Sequence, residues 1–348
     1  MKCRQCGKDN VDNIKFCFYC GTPLLEDAAN AMNSLGDDNQ KTHATASKKN
    51  RKKIFLIIVA AVTLTTFISV LFVLPRNQIK TAESSQIKST KLVIEETTIE
   101  KGNIIDSGTS GECLWELDDN GLLCVNGNGT MADYSAYETP WYSKRLQIKY
   151  IFLEEGVTGV GIYAFMDCEN LLTVRLSKHL NKINDAAFYK CNSLKEIRIP
   201  QSTHYIGFNA FGACRNLTQI IVDEKNDYYT SIDGNLFTKD KSTLMLYAIG
   251  KTDSSYSIPS GTKKIGDDAF EKSPYLVRIT IPDSAISIGK WAFEYCTSLL
   301  YVEIPPSVIE IGDNAFEQCL DNLSIIGQSN SYAESFAVKN GIRFTVRD

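Results

Sequence analysis

The pair Ala-Phe returns at a fixed shift of 23 residues, as Ala164-Phe165, Ala187-Phe188 and Ala210-Phe211, and again as Ala269-Phe270, Ala292-Phe293 and Ala315-Phe316. Self-similarity at such a period means a solenoid, because each repeat is one supersecondary unit that cannot bury its apolar face alone. Five residues before each Phe stands Val160, Ile183, Ile206, Ile265, Ile288 or Ile311, and three after it Cys168, Cys191, Cys214, Ser273, Cys296 or Cys319. Four residues before each Phe the series reads Gly161, Asn184, Gly207, Gly266, Gly289 and Gly312. Both residue types tolerate positive φ, so a left-handed turn is expected at this position in every repeat.

Short alternating segments recur in the same register: Ile151-Phe152-Leu153, Val174-Arg175-Leu176, Ile197-Arg198-Ile199, Ile220-Ile221-Val222, Ile279-Thr280-Ile281 and Val302-Glu303-Ile304. As strands they point their outer two residues inward and the middle one outward. Pro200, Pro282 and Pro305 follow three of them and would end the ladder, since proline has no N–H to donate. The Ala-Phe-x-x-Cys-x-x-Leu segment fits a turn or two of helix on the opposite side of the coil. Tyr150, Phe152, Arg175, Arg198, Ile221, Arg278 and Tyr301 then fall on one outward face. Clustered Tyr and Arg make this face the candidate ligand-binding surface, against the plainer reading of a solvated sheet.

Between Val222 and Ile258 the spacing is 36 residues instead of 23 and the Ala-Phe pair is missing. Ser231–Phe237 and Ser242–Tyr247 read as a β-hairpin turning at Lys239-Asp240-Lys241, expected to protrude from the coil. A solenoid must be capped at both ends. Trp115 to Tyr150, with a turn at Asp118–Gly121 and the aromatics Trp141 and Tyr142, suits the first cap. Ser331–Val338, stopped by Asn340-Gly341, suits a closing helix, followed by a last strand over Ile342–Val346. The repeat cysteines read as small buried hydrophobes, with a disulfide or metal ladder as the alternative. Cys113 and Cys124 flank the first hairpin without lying directly opposite, which leaves a disulfide between them open.

From Ile54 to Leu74 run 21 residues without a charge. A helix of that length crosses a hydrocarbon core of ~30 Å. Lys48, Lys49, Arg51, Lys52 and Lys53 precede the segment, whereas only Arg76 and Lys80 follow closely, so the positive-inside rule places the N-terminus in the cytoplasm and the repeats outside.

Cys3-Arg4-Gln5-Cys6-Gly7 and Cys17-Phe18-Tyr19-Cys20-Gly21 are two C-x-x-C-G turns. Zn²⁺ takes four tetrahedral ligands, and two such turns supply Cys3, Cys6, Cys17 and Cys20 with no coordination position left open. The site is therefore expected to be structural. So short a segment buries little core, and metal binding would supply most of its folding energy. A reducing cytoplasm argues against two disulfides instead.

The run from Met1 to Leu24 resembles the short zinc ribbons at the N-termini of many bacterial membrane proteins, with Phe18 where a proline is usual. The consensus I-G-x-x-A-F-x-x-C-x-x-L-x-x-I-x-I-P resembles the BspA-like leucine-rich repeat family of bacterial cell-surface proteins. The fold class expected is thus a mainly β, leucine-rich repeat solenoid of 23-residue period with a β-hairpin insertion, plus a zinc ribbon and a single transmembrane helix. The expected organisation is zinc ribbon 1–25, tether 26–53, transmembrane helix 54–74, linker 75–111, first cap 112–150, repeats 151–320 interrupted near 223–257, and closing cap 321–348. The resemblance implies adhesion-type binding of an extracellular protein or glycan and no catalysis. The three histidines sit near no nucleophile, and a net charge of −4 gives no basic field for nucleic acid. The alternative is a transmembrane sensor or assembly factor that couples ectodomain contact to a cytoplasmic partner of the zinc ribbon.

Overall fold

The computed structural model describes residues 2, 91–94 and 97–347. The four N-terminal cysteines and the apolar segment 54–74 lie outside the described residues. Among the described residues no helix is long and apolar enough to cross a membrane.

From Leu122 onward the chain winds as a β-solenoid of about 9 turns. Each regular turn carries two short parallel strands. The first ladder contains Tyr150–Leu153, Thr173–Arg175, Glu196–Ile199 and Gln219–Val222, then Ser255–Ser257, Arg278–Thr280, Tyr301–Glu303 and Ser324–Gly327. Within each hydrogen-bonded pair residues lie 23 apart, as in Ile151 opposite Val174 and Ile279 opposite Val302. A second ladder, absent from the sequence reading, joins dipeptides that end in Ile: Lys182–Ile183 with Tyr205–Ile206, and Lys264–Ile265 with Ser287–Ile288 and Glu310–Ile311. Two residues of strand carry too little alternation to be read from sequence.

The Ala-Phe column fills the interior. Trp141, Phe165, Phe188 and Phe211 stack with ring centroids 5.1–5.6 Å apart, and Tyr247, Phe270, Phe293 and Phe316 continue at 4.9–5.1 Å. Full burial of each such ring stabilises by about 1.5–3 kcal/mol, and stacking adds about 0.5–1.5 kcal/mol. Trp141 ends the stack and donates from Nε1 to the Ala164 carbonyl at 2.9 Å. At the other end Phe336, on the helix Tyr332–Lys339, meets Phe316 edge-on at 6.0 Å. Ser331 caps that helix by accepting from the Glu334 N–H.

Four expectations need correction. The Ala-Phe-x-x-Cys segments are chains of turns with no helix in them. Their left-handed residues are not the expected glycines. They stand two before and two after each Phe: Tyr163, Ala186, Asn209, Asp268, Trp291 and Asn314 at φ 52–57°, and Asp167, Lys190, Ala213, Lys272, Tyr295 and Gln318 at φ 54–60°. Left-handed backbone costs an L-residue about 1–2 kcal/mol. It turns the N–H groups along the coil axis, where Ala186 donates to Phe208 at 2.9 Å and Lys190 to Gly212 at 3.0 Å in the next turn. The glycines serve close approach instead. A Cβ on Gly312 would lie 2.5 Å from the Lys290 nitrogen, and one on Gly161 would lie 1.8 Å from the Ala132 oxygen.

The inserted segment does not simply protrude. Tyr229–Ile232, Asn235–Thr238 and Thr243–Leu246 form three antiparallel strands, the first pair turning at Asp233-Gly234 with both φ positive. The third pairs in parallel with Lys264–Ile265 and so serves as a rung of the second ladder. Leu236, Phe237, Leu244 and Tyr247 are buried. The alternation in Asn235–Thr238 and Thr243–Leu246 that reads as a hairpin also supplies an interior-facing apolar set, and burying it draws the insertion into the coil.

Structure also begins earlier than the expected linker boundary. Ile104–Ser110 pairs antiparallel with Cys113–Asp118, and Lys91–Ile94 pairs with Thr97–Glu100. The Ser- and Gly-rich stretch reads as linker, yet Gly108 is what lets this edge strand cover the Trp115 indole: a Cβ there would meet it at 3.1 Å. Cys113 and Cys124 are both free thiols; Cys113 pairs with Gly127 and Cys124 with Glu116, which keeps them apart.

Candidate functional site

The outward face of the first ladder is three separate patches. Phe152 is only 8% exposed and packs with Ile99, Leu122 and Cys124, with Tyr150 against them. The strand Thr97–Glu100 therefore covers the face where it begins. Sequence reasoning missed this because a short polar tract gave no sign of returning onto the coil. Arg175 lies over the Phe152 ring at 4.7 Å. Arg198, exposed and opposite Ile221, pairs at 3.1 Å with Glu196 of its own strand. Beyond the insertion Arg278 lies 4.7 Å over the Tyr301 ring and donates to Glu303 at 2.7 Å. The arginines are thus engaged with neighbours on the sheet, and each exposed pair is worth little net stability.

The cysteine column lies inside. Cys191, Cys214, Cys296 and Cys319 each donate a thiol hydrogen bond, at 3.1–3.3 Å, to the carbonyl of the Phe 26 residues earlier. Burial pushes the thiols of Cys191, Cys296 and Cys319 up, that of Cys319 to about 12, so these three are suited to packing rather than to nucleophilic chemistry.

A second surface lies on the turn side, where the insertion interrupts the repeat. The backbone bonds that join one Ala-Phe turn to the next run as far as Lys190 to Gly212 and resume at Asp268 to Lys290. The intervening rung has no such turn. It runs through Tyr247, whose N–H donates to the Ala269 carbonyl, and through Gly250, whose N–H donates to Leu217. Side chains bridge the gap instead. Asn209 Nδ2 donates to Glu271 Oε2 at 3.3 Å, and Lys272 Nζ donates to Tyr189 Oη at 2.9 Å and to Glu271 Oε1 at 2.5 Å. Lys272 also sits 5.5 Å from the ring centroids of both Tyr189 and Tyr295. Tyr189 is buried, and desolvation first and the neighbouring Glu271 carboxylate next hold its hydroxyl well above the usual phenol range.

Beside this seam opens a groove of about 760 Å³, with Asn192 and Arg215 on one wall and Lys272, Tyr275 and Tyr295 on the other. It occupies the place of the turn that the inserted rung lacks. Such a volume is typical of small-molecule sites, which pair apolar walls with a few convergent polar groups. The missing Ala-Phe pair was visible in sequence, but the side chains facing across it could not be read without the path of the chain.

Residues 139–252 and 251–341 match the BspA type leucine rich repeat region in 6 copies, more than half of the chain. The chain belongs to the BspA-type leucine-rich repeat family. Residues 2–24 match the zinc-ribbon domain. Among solved structures, a leucine-rich repeat protein from Eubacterium ventriosum is 24% identical with a TM-score of 0.49, over 65% of this chain and 73% of that one. The pneumococcal vaccine antigen PcpA is 14% identical with a TM-score of 0.38, over 70% of this chain and 99% of that one. A leucine rich cell surface protein from Faecalibacterium prausnitzii is 19% identical with a TM-score of 0.35, over 71% and 96% of the two chains. No curated protein matches. The groove belongs to the irregular part of the BspA-type coil, where one turn of the repeat is replaced by the insertion.

Proposed function

We propose that this chain is a membrane-anchored, non-catalytic binding protein of the cell surface, whose repeats recognise an extracellular protein or glycan. The observation that carries the reading is the pairing of a 21-residue uncharged segment, basic on its N-terminal flank, with a BspA-type solenoid that follows it. The segment is long enough to anchor, and its flanking charge directs the repeats outward. A capped repeat scaffold supplies an extended surface for recognition. Inside, Cys3, Cys6, Cys17 and Cys20 offer four thiolates to a structural Zn²⁺, a donor set that fills a tetrahedral shell.

Two measurements test this. Protease added to intact cells should remove the repeats and spare the first fifty residues; loss of the N-terminal part instead would sink the topology. Cells displaying the full chain should retain a soluble protein or glycan that cells lacking it do not. Equal retention across extracellular matrix proteins, wall polysaccharides and soluble glycans would sink the binding role.

A further inference from the structure

We propose that the strand pair Lys91–Ile94 and Thr97–Glu100 is a strap that a pull on the chain lifts off the coil, uncovering an apolar patch of Leu122, Cys124, Tyr150 and Phe152 on the ladder face. The device goes beyond the binding role and rests on the anchored topology proposed above.

The strap lies outside the coil. Along Leu122–Gly127 and Tyr150–Leu153, the side chains of Leu123, Val125, Ile151 and Leu153 belong to the interior, whereas Leu122, Cys124 and Phe152 form a separate cluster closed by Ile99. Ile99 is 6% exposed, and Lys91–Ile94 runs beside Thr173–Arg175. Among the described residues the two strap strands form a sheet of their own and join no ladder of the coil. A lone two-stranded pair is marginal in water, so the packing of Ile99 holds this one down. The interior of the coil is closed without it.

Directly after the strap the chain is clamped to the turn at Asp118–Asn120. The Glu100 carbonyl accepts from Asn120 Nδ2 at 3.0 Å, and Lys101 Nζ donates to Glu116 Oε2 at 2.8 Å. The Gly102 N–H donates to Asp118 Oδ2 at 2.7 Å and the Asn103 N–H to Asp119 Oδ1 at 2.9 Å. A Cβ on Gly102 would lie 2.0 Å from Asp119 Oδ1, so the turn closes tightly on the chain. This clamp is the fixed end about which the strap swings.

The apolar segment 54–74 precedes the strap and the coil follows it, so a load between anchor and coil enters at Lys91 and leaves at Glu100. These two residues are direct partners at the open end of the pair. The load therefore parts Lys91 from Glu100, then Leu92 from Ile99, Val93 from Thr98 and Ile94 from Thr97, one after another. Ile99 is reached at the second of these steps. The clamp sets its bonds against the load together and yields later. Once the strap is lifted, Leu122, Cys124 and Phe152 lose their cover, and a contiguous exposed apolar patch is a surface for interaction.

The tests use the full chain in detergent. Pulled between handles joined ahead of Lys91 and at the C-terminus, the chain should first extend in a reversible step of about 30 Å, the length released by residues 91–100, at lower force than any loss of the coil. Ile99→Asp should lower the force of this step or remove it. Cys124 is the chemical reporter, since burial holds its thiol up to about 11 and a thiol at its usual value is about a hundredfold more ionised at pH 8. N-ethylmaleimide at that pH should label Cys124 at least about tenfold faster in Ile99→Asp than in the parent, with the interior Cys168 unmodified in both. If the variant misfolds, hydrogen exchange of the parent decides: the amides of residues 92–99 should exchange as one unit, at least about a hundredfold faster than those of Leu122–Val125. No early step, Cys124 equally protected in the variant, Cys168 labelled along with Cys124, or strap amides that exchange with the coil overturns the strap. None of these readouts needs a membrane or a ligand, so their failure leaves the anchored binding role standing.

Discussion

At the scale of single residues, the repeat assigns each position a physical task, and the tasks differ in how well sequence reveals them. Phe188 has no exposure and stacks on Phe165 at 5.1 Å and on Phe211 at 5.5 Å. Phe188→Ala should cost about 3–5 kcal/mol in a urea titration, because the cavity has rigid rings on both sides. A cost below about 1 kcal/mol would mean that the stack does not carry the interior. The glycine column is a subtler case: the residue type was legible, but its reason was not. Gly312 keeps φ outside the left-handed region and is needed because backbone of the previous turn lies where a Cβ would be. Gly312→Ala should therefore destabilise by about 1–3 kcal/mol through overpacking, and a neutral result would contradict the close approach. The thiols add a chemical prediction. Burial holds Cys124 up to about 11 and Cys319 up to about 12, against a usual value of 9.0. The thiolate is the reactive form, and at pH 8 a group titrating near 11 is ionised about one part in a thousand. Alkylation of the native protein followed by peptide mass analysis should leave the solenoid cysteines unmodified below pH 9, with labelling rising only as the pH approaches these values. Prompt labelling of Cys191 or Cys296 at neutral pH would show that the column is not buried.

At the scale of elements, the seam is where the coil is held together differently. Regular turns are joined by backbone bonds, whereas across the insertion the buried apolar side chains divide into one cluster that reaches Leu236 and Ala248 and another that starts at Phe237 and Tyr247. Asn209, Glu271, Lys272 and Tyr189 link the turn sides of the two halves with hydrogen bonds spanning 62 and 83 residues of sequence. Glu271 is buried, so Lys272→Met would strip its counter-ion and should cost about 3–5 kcal/mol. Repeat proteins lose cooperativity where a nearest-neighbour interface is weakened. In this variant, hydrogen exchange should show the halves on either side of residues 223–257 opening at separate rates, while the parent protein opens as one. A single coincident transition in both would place the coupling elsewhere. The sequence could show that a turn was missing, but not that an acidic and amide pair would close the gap, since these residues come from turns 62 positions apart.

At the scale of the whole molecule, the parts differ in what maintains them, and that governs how legible they were. The coil is a sum of near-identical contacts, so its period, strands and aromatic column can be read from the spacing alone, whereas the covering strand Thr97–Glu100 and the absorbed insertion depend on single long-range contacts that no period announces. The first twenty residues are expected to follow a different rule, because on the zinc-binding proposal four cysteines at metal-ligand spacing would put most of their folding energy into one ion. Among the described residues the solenoid cysteines are free thiols, and Cys191, Cys214, Cys296 and Cys319 already give their hydrogens to Phe carbonyls. A strong chelator should accordingly release about one Zn²⁺ per chain, as expected of a single closed four-thiolate shell. The same treatment should expose the N-terminal segment to protease and leave the thermal transition of the repeats within about 1 °C of the untreated protein, since an uncoupled unit contributes nothing to it. A fall of several degrees would mean that the ribbon and the coil are energetically coupled, and the view of the chain as independently maintained units would have to be abandoned.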